Sequence, residues 1–218
     1  DGLNALYRSL GLRWLHPLGF ENSYAITVRT DRAAVDELTR IEDLARLPDG
    51  VRVTCPEEYL RRPLDGLPAL IRRFGLRMPH PPRVLADPSA RIRALLEGQA
   101  DVAVLYSTDG AFLDSRVRVL EDASGFFPPY DAAFLVSEQT LARAPRIAGS
   151  LGRLAGLLND ETMHDLNFDV SMAGREPAEV AQEFLRASGL VDDAQARPAH
   201  APRLRVGVHQ TDRLTAFT

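Results

Sequence analysis

The sequence predicts an α/β protein whose sheet is rich in parallel strands. Short apolar runs alternate with segments of helical spacing as far as Tyr130, and mainly helical segments follow. The run VAVL at 102–105 is continuously apolar, as a strand buried on both faces must be. With 218 residues, the chain is long enough for one large or two small domains with apolar cores.

The predicted strands are short runs bounded by turn residues. The segment YSTDG at 106–110 is one such boundary, because Asp and Gly permit a sharp reversal of the backbone. The strands are predicted at residues 24–29, 51–54, 83–85, 102–105, 117–120 and 133–136.

Glycines and prolines mark the ends of the predicted helices. Gly11, Gly75, Gly98 and Gly189 each follow a helical pattern, where a left-handed residue commonly ends a helix. Pro177 lies in the first turn of the last helix, where its missing N–H costs no hydrogen bond. The helices are predicted at residues 3–10, 41–47, 67–74, 88–96, 147–158, 161–167 and 176–188.

The end of the chain differs in composition from the rest. Residues 191–202 are rich in Ala, Asp and Pro and lack periodicity, which predicts a linker. The run LRVGV at 204–208 has the pattern of a further strand. The alternative, which we favour, is a strand edge or a disordered tail.

Composition excludes several classes of function. The net charge is −4, and no basic block is interleaved with aromatic residues, which argues against a nucleic-acid partner. No apolar run approaches the length that spans a membrane. The five histidines lack the spacing of metal ligands and no phosphate-binding glycine loop is present, so we expect no metal and no cofactor. The single Cys55 has no neighbouring base in sequence, which predicts a small buried hydrophobe.

Two tyrosines lie at the ends of stiff elements. Tyr106 directly follows the predicted strand at 102–105, and Tyr130 follows FFPP at 126–129, whose prolines hold the backbone extended. Proteins with parallel sheets place ligand contacts at the ends of strands. The alternative is that both are core tyrosines with satisfied hydroxyls, and this stretch alone does not decide between the two.

Six motifs are spread in order along the chain: GFENSYAITVR (19–29), EEYLRRPLDGLPALIRRFGL (57–76), YSTDG (106–110), VRVLED (117–122), FFPPYDAAFLVS (126–137) and MHDLNFDVSMAGREPAEVAQEFLRASGL (163–190). Together they resemble the substrate-binding proteins of ABC importers for quaternary-ammonium osmoprotectants, such as glycine betaine, choline, carnitine and proline betaine. The resemblance runs from about residue 3 to residue 190, and its spread over ordered motifs makes it more specific than one short pattern.

The resemblance implies a two-lobed, periplasmic-binding-protein-like fold of type II, whose lobes close around a ligand. It implies a complete second lobe at 19–129, preceded at 1–18 by the end of the first lobe. Residues 130–190 return into the first lobe as mainly helical structure, and 191–218 form a linker and tail. The opening strands of the first lobe are absent and the chain starts at Asp1. We therefore expect a fragment with an incomplete first lobe, whose uncovered apolar faces favour self-association.

The resemblance also implies an aromatic cage formed by Tyr24, Tyr106 and Tyr130. A trimethylammonium group has no N–H to donate, so ring faces, whose quadrupoles attract the cation, are the groups that suit it. Asn22 matches a position at which the family offers a backbone carbonyl to the methyl groups.

For the carboxylate of a betaine, the resemblance implies a guanidinium at Arg62. The planar fork of an arginine matches a carboxylate in geometry and charge. This segment has one extra residue, Leu64, relative to the family pattern, so Arg61 remains an alternative. A solvated surface arginine is the other interpretation.

The function implied is that of an extracytoplasmic solute-binding component of an ABC transporter, periplasmic or anchored at the cell surface. Such a component delivers a quaternary-ammonium osmolyte to a transmembrane permease. The alternatives are a ligand-sensing regulatory domain on the same fold and an α/β enzyme. Asp109 and Asp131 could serve as acid–base groups, but turn and cap positions account for both, so we expect no enzymatic activity.

Overall fold

The computed structural model of the chain describes residues 2–31 and 38–191. The predicted linker beyond Val191 and the candidate strand at 204–208 lie outside these ranges. The described residues form two compact units. The first unit contains the chain up to Tyr24, Tyr106–Leu113 and Pro128–Ala181. The second contains Ala25–Leu105, Asp114–Phe127 and the described residues from Gln182 onward.

The described residues form seven strands and seven α-helices, and four of the helices follow the last strand. The strands are β1 (Leu12–Glu21), β2 (Tyr24–Arg29), β3 (Val53–Cys55), β4 (Arg83–Val84), β5 (Val102–Tyr106), β6 (Val117–Val119) and β7 (Asp131–Ser137). The α-helices are α1 (Gly2–Ser9), α2 (Leu67–Phe74), α3 (Pro88–Leu96), α4 (Glu138–Arg143), α5 (Arg146–Gly152), α6 (Asp160–Ser171) and α7 (Pro177–Ala187). Short 3₁₀ helices span Ile41–Arg46, Glu57–Leu60 and Gly110–Leu113.

Five strands form one sheet in the order β4-β3-β5-β2-β6. β3 is parallel to both β4 and β5, whereas β2 is antiparallel to β6. The residues of β5 from Val102 to Leu105 are completely buried, as the continuous apolar run predicts. The predicted α/β class with a sheet rich in parallel strands is therefore confirmed.

Helices α2 and α3 contribute apolar faces to the core of the second unit. Leu70 of α2 and Leu95 of α3 are both fully buried. Gly75, with φ of 64°, ends α2 in the left-handed conformation that its place in the sequence predicts. Asp87 caps α3, because its carboxylate accepts the Ser89 N–H at 2.9 Å. Caps and burial together account for the predicted bounds of these helices.

In the first unit, β1 and β7 form a two-stranded antiparallel sheet. Strand β1 was not predicted from the sequence. Pro17 lies inside the strand, and the register shifts on both sides of it. A proline removes a ladder hydrogen bond and occurs in strands mainly at edges and bulges, so the segment lacks the usual sequence pattern of a strand.

The helical segment after β7 also differs from the prediction. Helix α4 was not predicted, although Ser137 caps it by accepting the Thr140 N–H at 3.1 Å. The single helix predicted at 147–158 ends as α5 at Gly152, and turns follow. Gly156, with φ of 78°, lies in those turns and is incompatible with a continuous helix there.

Burial in the first unit is sparse. Helices α4, α5 and α6 contain no buried residue. Leu135 of β7 is 40% exposed and Leu157 is 39% exposed. The buried apolar side chains that the structure describes in this unit are Leu18, Tyr24, Ala111 and Val180.

Candidate functional site

Tyr24 and Tyr106 lie next to each other because they end neighbouring strands. Tyr24 is the first residue of β2 and Tyr106 is the last residue of β5. Their rings are stacked, with centroids 5.2 Å apart and planes 28° apart. Tyr24 is 8% exposed, whereas Tyr106 is half-buried. A stack of this kind stabilises both rings and fixes the orientation of their planes.

The loop that follows Tyr106 is a tight, internally bonded turn. The Tyr106 N–H donates to Oδ2 of Asp109 at 2.9 Å, and the Asp109 N–H donates to the Tyr106 carbonyl at 2.9 Å. Gly110 then approaches α6 so closely that a Cβ would lie 2.4 Å from the backbone N and Cα of Phe168. Only glycine fits this position, which explains the YSTDG pattern in physical terms.

Hydrogen bonds join this loop to the segment between β1 and β2. The Ser107 N–H donates to the Ser23 carbonyl at 2.8 Å, and Ser107 Oγ accepts the Ser23 N–H at 2.9 Å. The same hydroxyl donates to the Glu21 carbonyl at 2.9 Å. Thr108 Oγ1 donates to Oδ1 of Asn22 at 2.8 Å. These hydrogen bonds therefore hold the two segments that carry the stacked tyrosines against each other.

Asn22 and Tyr130 meet through their main chains. The Asn22 N–H donates to the Tyr130 carbonyl at 3.0 Å. Tyr130 is half-buried and directly precedes β7. The first unit thus contains all four of the predicted residues Tyr24, Tyr106, Asn22 and Tyr130.

Arg62 belongs to the second unit. Its Nε donates to Oδ1 of Asp65 at 2.8 Å, and a terminal nitrogen donates to Oδ2 of the same carboxylate. Asp65 is 4% exposed, so this pairing orients the guanidinium side-on against a buried group. Arg61 forms an exposed ion pair with Glu57 instead. Of the two arginines, Arg62 is the one that the fold orients.

The extra residue Leu64 does not disturb this turn. Its side chain is 83% exposed. The turn continues into Gly66, where a Cβ would lie 2.3 Å from the Tyr59 carbonyl oxygen and 2.5 Å from that of Arg62. Leu64 therefore lies on the surface while the backbone beside Arg62 stays tightly packed.

Two residues on α6 also belong to this site, and the sequence analysis missed them. Nε2 of His164 lies 2.6 Å from the Ser107 carbonyl oxygen, and Nδ2 of Asn167 donates to the Thr108 carbonyl at 2.7 Å. From the sequence, the histidines were noted only for lacking the spacing of metal ligands. Nothing in the local pattern could have linked α6 to a loop so distant in the chain.

Cys55 is fully buried. Burial raises the pKa of its thiol to about 12. The neutral thiol that results is a poor nucleophile, which agrees with the predicted role as a small hydrophobe.

Residues 2–31 and 38–191 include no group of three or more His, Cys, Asp or Glu side chains that could hold a metal ion. None of the helices in this part of the chain has both the length and the hydropathy needed to cross a membrane.

Comparison with known proteins identifies the family. The substrate-binding domain of ABC-type glycine betaine transport systems matches residues 3–187. The carnitine transport binding protein OpuCC of Listeria monocytogenes is 30% identical over 174 residues, which cover 79% of this chain and 56% of that protein. The glycine-betaine-binding protein of Pseudomonas aeruginosa is 32% identical over 195 residues, which cover 85% of this chain and 62% of the relative.

A solved structure of a glycine betaine/carnitine/choline ABC transporter protein shares the fold. It is 28% identical, with a TM-score of 0.68, over 86% of this chain and 68% of its own. This chain spans little more than half the length of the two relatives, 56% and 62% respectively. It belongs to the family of substrate-binding domains of ABC-type glycine betaine transport systems, which have the type II periplasmic-binding-protein fold and are not enzymes.

Proposed function

We propose that this protein is the solute-binding component of an ABC importer and that it binds a quaternary-ammonium osmolyte. Glycine betaine, choline, carnitine and proline betaine are the ligands of this class. The observation that carries the proposal is the stacked pair Tyr24 and Tyr106, held by a hydrogen-bonded loop in a chain of this family. Relatives named for carnitine and glycine betaine support the same class of ligand.

The cation is held by ring faces in this proposal. Each ring contributes about 0.5–2 kcal/mol, so three or four rings are needed for micromolar binding. Tyr24, Tyr106 and Tyr130 are the proposed rings, and the backbone carbonyl of Asn22 contacts the methyl groups. Tyr106 and Tyr130 are both half-buried, whereas Tyr24 is almost covered. Tyr106 is therefore the ring of the stacked pair with more surface to offer a ligand.

Arg62 is the proposed partner of a ligand's carboxylate. Its pairing with the buried Asp65 supports this role, because a guanidinium held in one orientation loses less entropy when it binds. Arg61, which pairs with Glu57 at the surface, is the weaker candidate.

The proposed setting is extracytoplasmic, in the periplasm or at an anchored position on the cell surface. The proposed partner is the transmembrane permease of the importer. We also propose that the chain self-associates through the sparsely buried first unit. A sensing role on the same fold has no specific observation in its favour.

Replacing Tyr106 tests the proposed function. In the full-length protein, Tyr106→Ala is expected to weaken glycine betaine binding by about 1–2 kcal/mol, because a ring face is lost. Tyr106→Phe should cost less, because it keeps the face and loses only the hydroxyl. Isothermal titration calorimetry measures both.

The matched control is Tyr7→Ala. Tyr7 packs edge-on against Trp14, with centroids 5.4 Å apart, and is not one of the proposed cage residues. Its replacement should leave the affinity unchanged. If Tyr106→Ala binds glycine betaine with unchanged affinity, Tyr106 does not contact the ligand and the cage proposal is wrong.

A further inference from the structure

One face of helix α6 supplies hydrogen-bond donors to the loop after Tyr106. His164 and Asn167 are three residues apart and therefore lie on the same side of the helix. They reach the successive carbonyl oxygens of Ser107 and Thr108, at 2.6 Å and 2.7 Å. A carbonyl oxygen can only accept, so Nε2 of His164 carries the hydrogen in this bond.

Further contacts fix the histidine ring and the helix in place. The ring of Phe112 meets the His164 ring edge-on, with centroids 5.4 Å apart and an interplanar angle of 89°. Gly110 packs directly against the backbone of Phe168, where no side chain would fit. The imidazole is therefore held by packing on one side and by a short hydrogen bond on the other.

The same helix also contacts the segment that leads to Tyr24. Oδ1 of Asp160, the first residue of α6, accepts the Glu21 N–H at 3.2 Å. Glu21 ends β1, three residues before Tyr24. One helix is thus bonded to both segments that carry the stacked rings.

We propose that His164 and Asn167 are positioning residues for the Tyr24–Tyr106 pair. By holding the carbonyls of Ser107 and Thr108, they fix the loop that follows Tyr106 and so the angle between the two rings. They act through the loop and do not contact the ligand. The effect on ligand affinity rests on the proposed function, whereas the effect on ring geometry does not.

Three variants distinguish the effect of the hydrogen bonds donated by His164 and Asn167 from the effect of side-chain packing. His164→Leu removes the donor but keeps an apolar side chain beside Phe112. His164→Gln restores an N–H donor. Asn167→Asp places a carboxylate oxygen against the Thr108 carbonyl oxygen, which replaces attraction with repulsion. Asp165→Ala is the control, because Asp165 is exposed on the same helix.

The readout is fluorine NMR of the full-length protein labelled with fluorotyrosine, together with calorimetry and thermal unfolding. The resonances of the five tyrosines of this chain are assigned with single Tyr→Phe variants. His164→Leu and Asn167→Asp should shift the Tyr24 and Tyr106 resonances and weaken choline binding about three- to tenfold. His164→Gln should recover most of both effects, and Asp165→Ala should match the wild type.

The inference is overturned if either His164→Leu or Asn167→Asp leaves the Tyr24 and Tyr106 resonances at their wild-type positions. It is equally overturned if His164→Gln restores no more than His164→Leu does. Should one variant fail to fold, the other carries the same test. Failure of the wild type to bind choline or glycine betaine would instead contradict the proposed function, while the resonances still decide the positioning role.

Discussion

Arg62 is a side chain whose orientation is set by a neighbouring carboxylate. Its side chain is 27% exposed and its guanidinium is paired side-on with Asp65, whose side chain is 6% exposed. A buried carboxylate of this kind fixes the fork in one direction. Asp65 holds the Arg62 guanidinium in place, which makes Arg62 a good candidate. Replacing Arg62 would therefore also lower the stability of the fold, because the buried Asp65 would lose a charged partner.

Removing Arg62 should lower the affinity for ligands that have a carboxylate and leave the affinity for the others unchanged. Arg62→Ala is expected to weaken binding of glycine betaine and carnitine by about 1.5–3 kcal/mol, the contribution of a hydrogen bond to a charged group. Choline has no carboxylate and should bind as before. Calorimetry with the three ligands measures the difference.

Two controls accompany this variant. Arg61→Ala removes a surface arginine and should change none of the three affinities. Combining Arg62→Ala with Asp65→Asn also removes the charge of the buried carboxylate and so isolates the binding effect from any loss of stability. If Arg62→Ala weakens the binding of choline and glycine betaine equally, a residue other than Arg62 binds the carboxylate.

At the scale of single residues, the sequence alone revealed less than the resemblance to the family did. Stiff flanking elements singled out Tyr106 and Tyr130, but their proposed role as cage rings came from matching motifs. His164 and Asn167 lie in the motif at 163–190, but the motif does not reveal their contacts, because their partners at 107 and 108 are distant in the chain. The cage assignment itself stays a prediction.

Among the elements, those with a strong local cause were predicted well. β5 is a continuous apolar run, and α2 ends at a glycine in the left-handed conformation, so both could be placed from sequence. β1 was missed because Pro17 disturbs its register, and α4 because it has only six residues and follows β7 directly. Tertiary pairing with β7, rather than local propensity, makes β1 a strand.

The sparsely buried elements of the first unit lead to a prediction about association. Leu135 on β7 and Leu157 after α5 are each about 40% exposed, and α4, α5 and α6 bury no residue. Uncovered apolar faces associate. We expect light scattering of the isolated chain to give a mass above that of one chain, and to rise with concentration.

Leu135→Lys should lower that mass by placing a charge on the exposed face. Leu64→Lys is the matched control, since Leu64 is more exposed but lies in the second unit and should have no effect. A single-chain mass at every concentration would show that these faces do not drive association.

For the whole molecule, family membership and fold class agree with the sequence analysis, while the lobe boundaries predicted at 19–129 and 130–190 stay predictions. Family membership is secured by ordered motifs matched over residues 3–187. The choice among osmolytes does not follow from it, because ring faces recognise a trimethylammonium group whatever its substituent. The central claim is therefore about the charge and shape of that group.

The most direct test compares choline with its uncharged carbon analogue, in which a tert-butyl group replaces the trimethylammonium group. The two ligands have the same shape and the same hydroxyl, so only the positive charge differs. Calorimetry on the full-length protein should give choline at least about tenfold tighter binding, since two or more ring faces each attract the cation. Equal affinity for the two would contradict recognition by an aromatic cage.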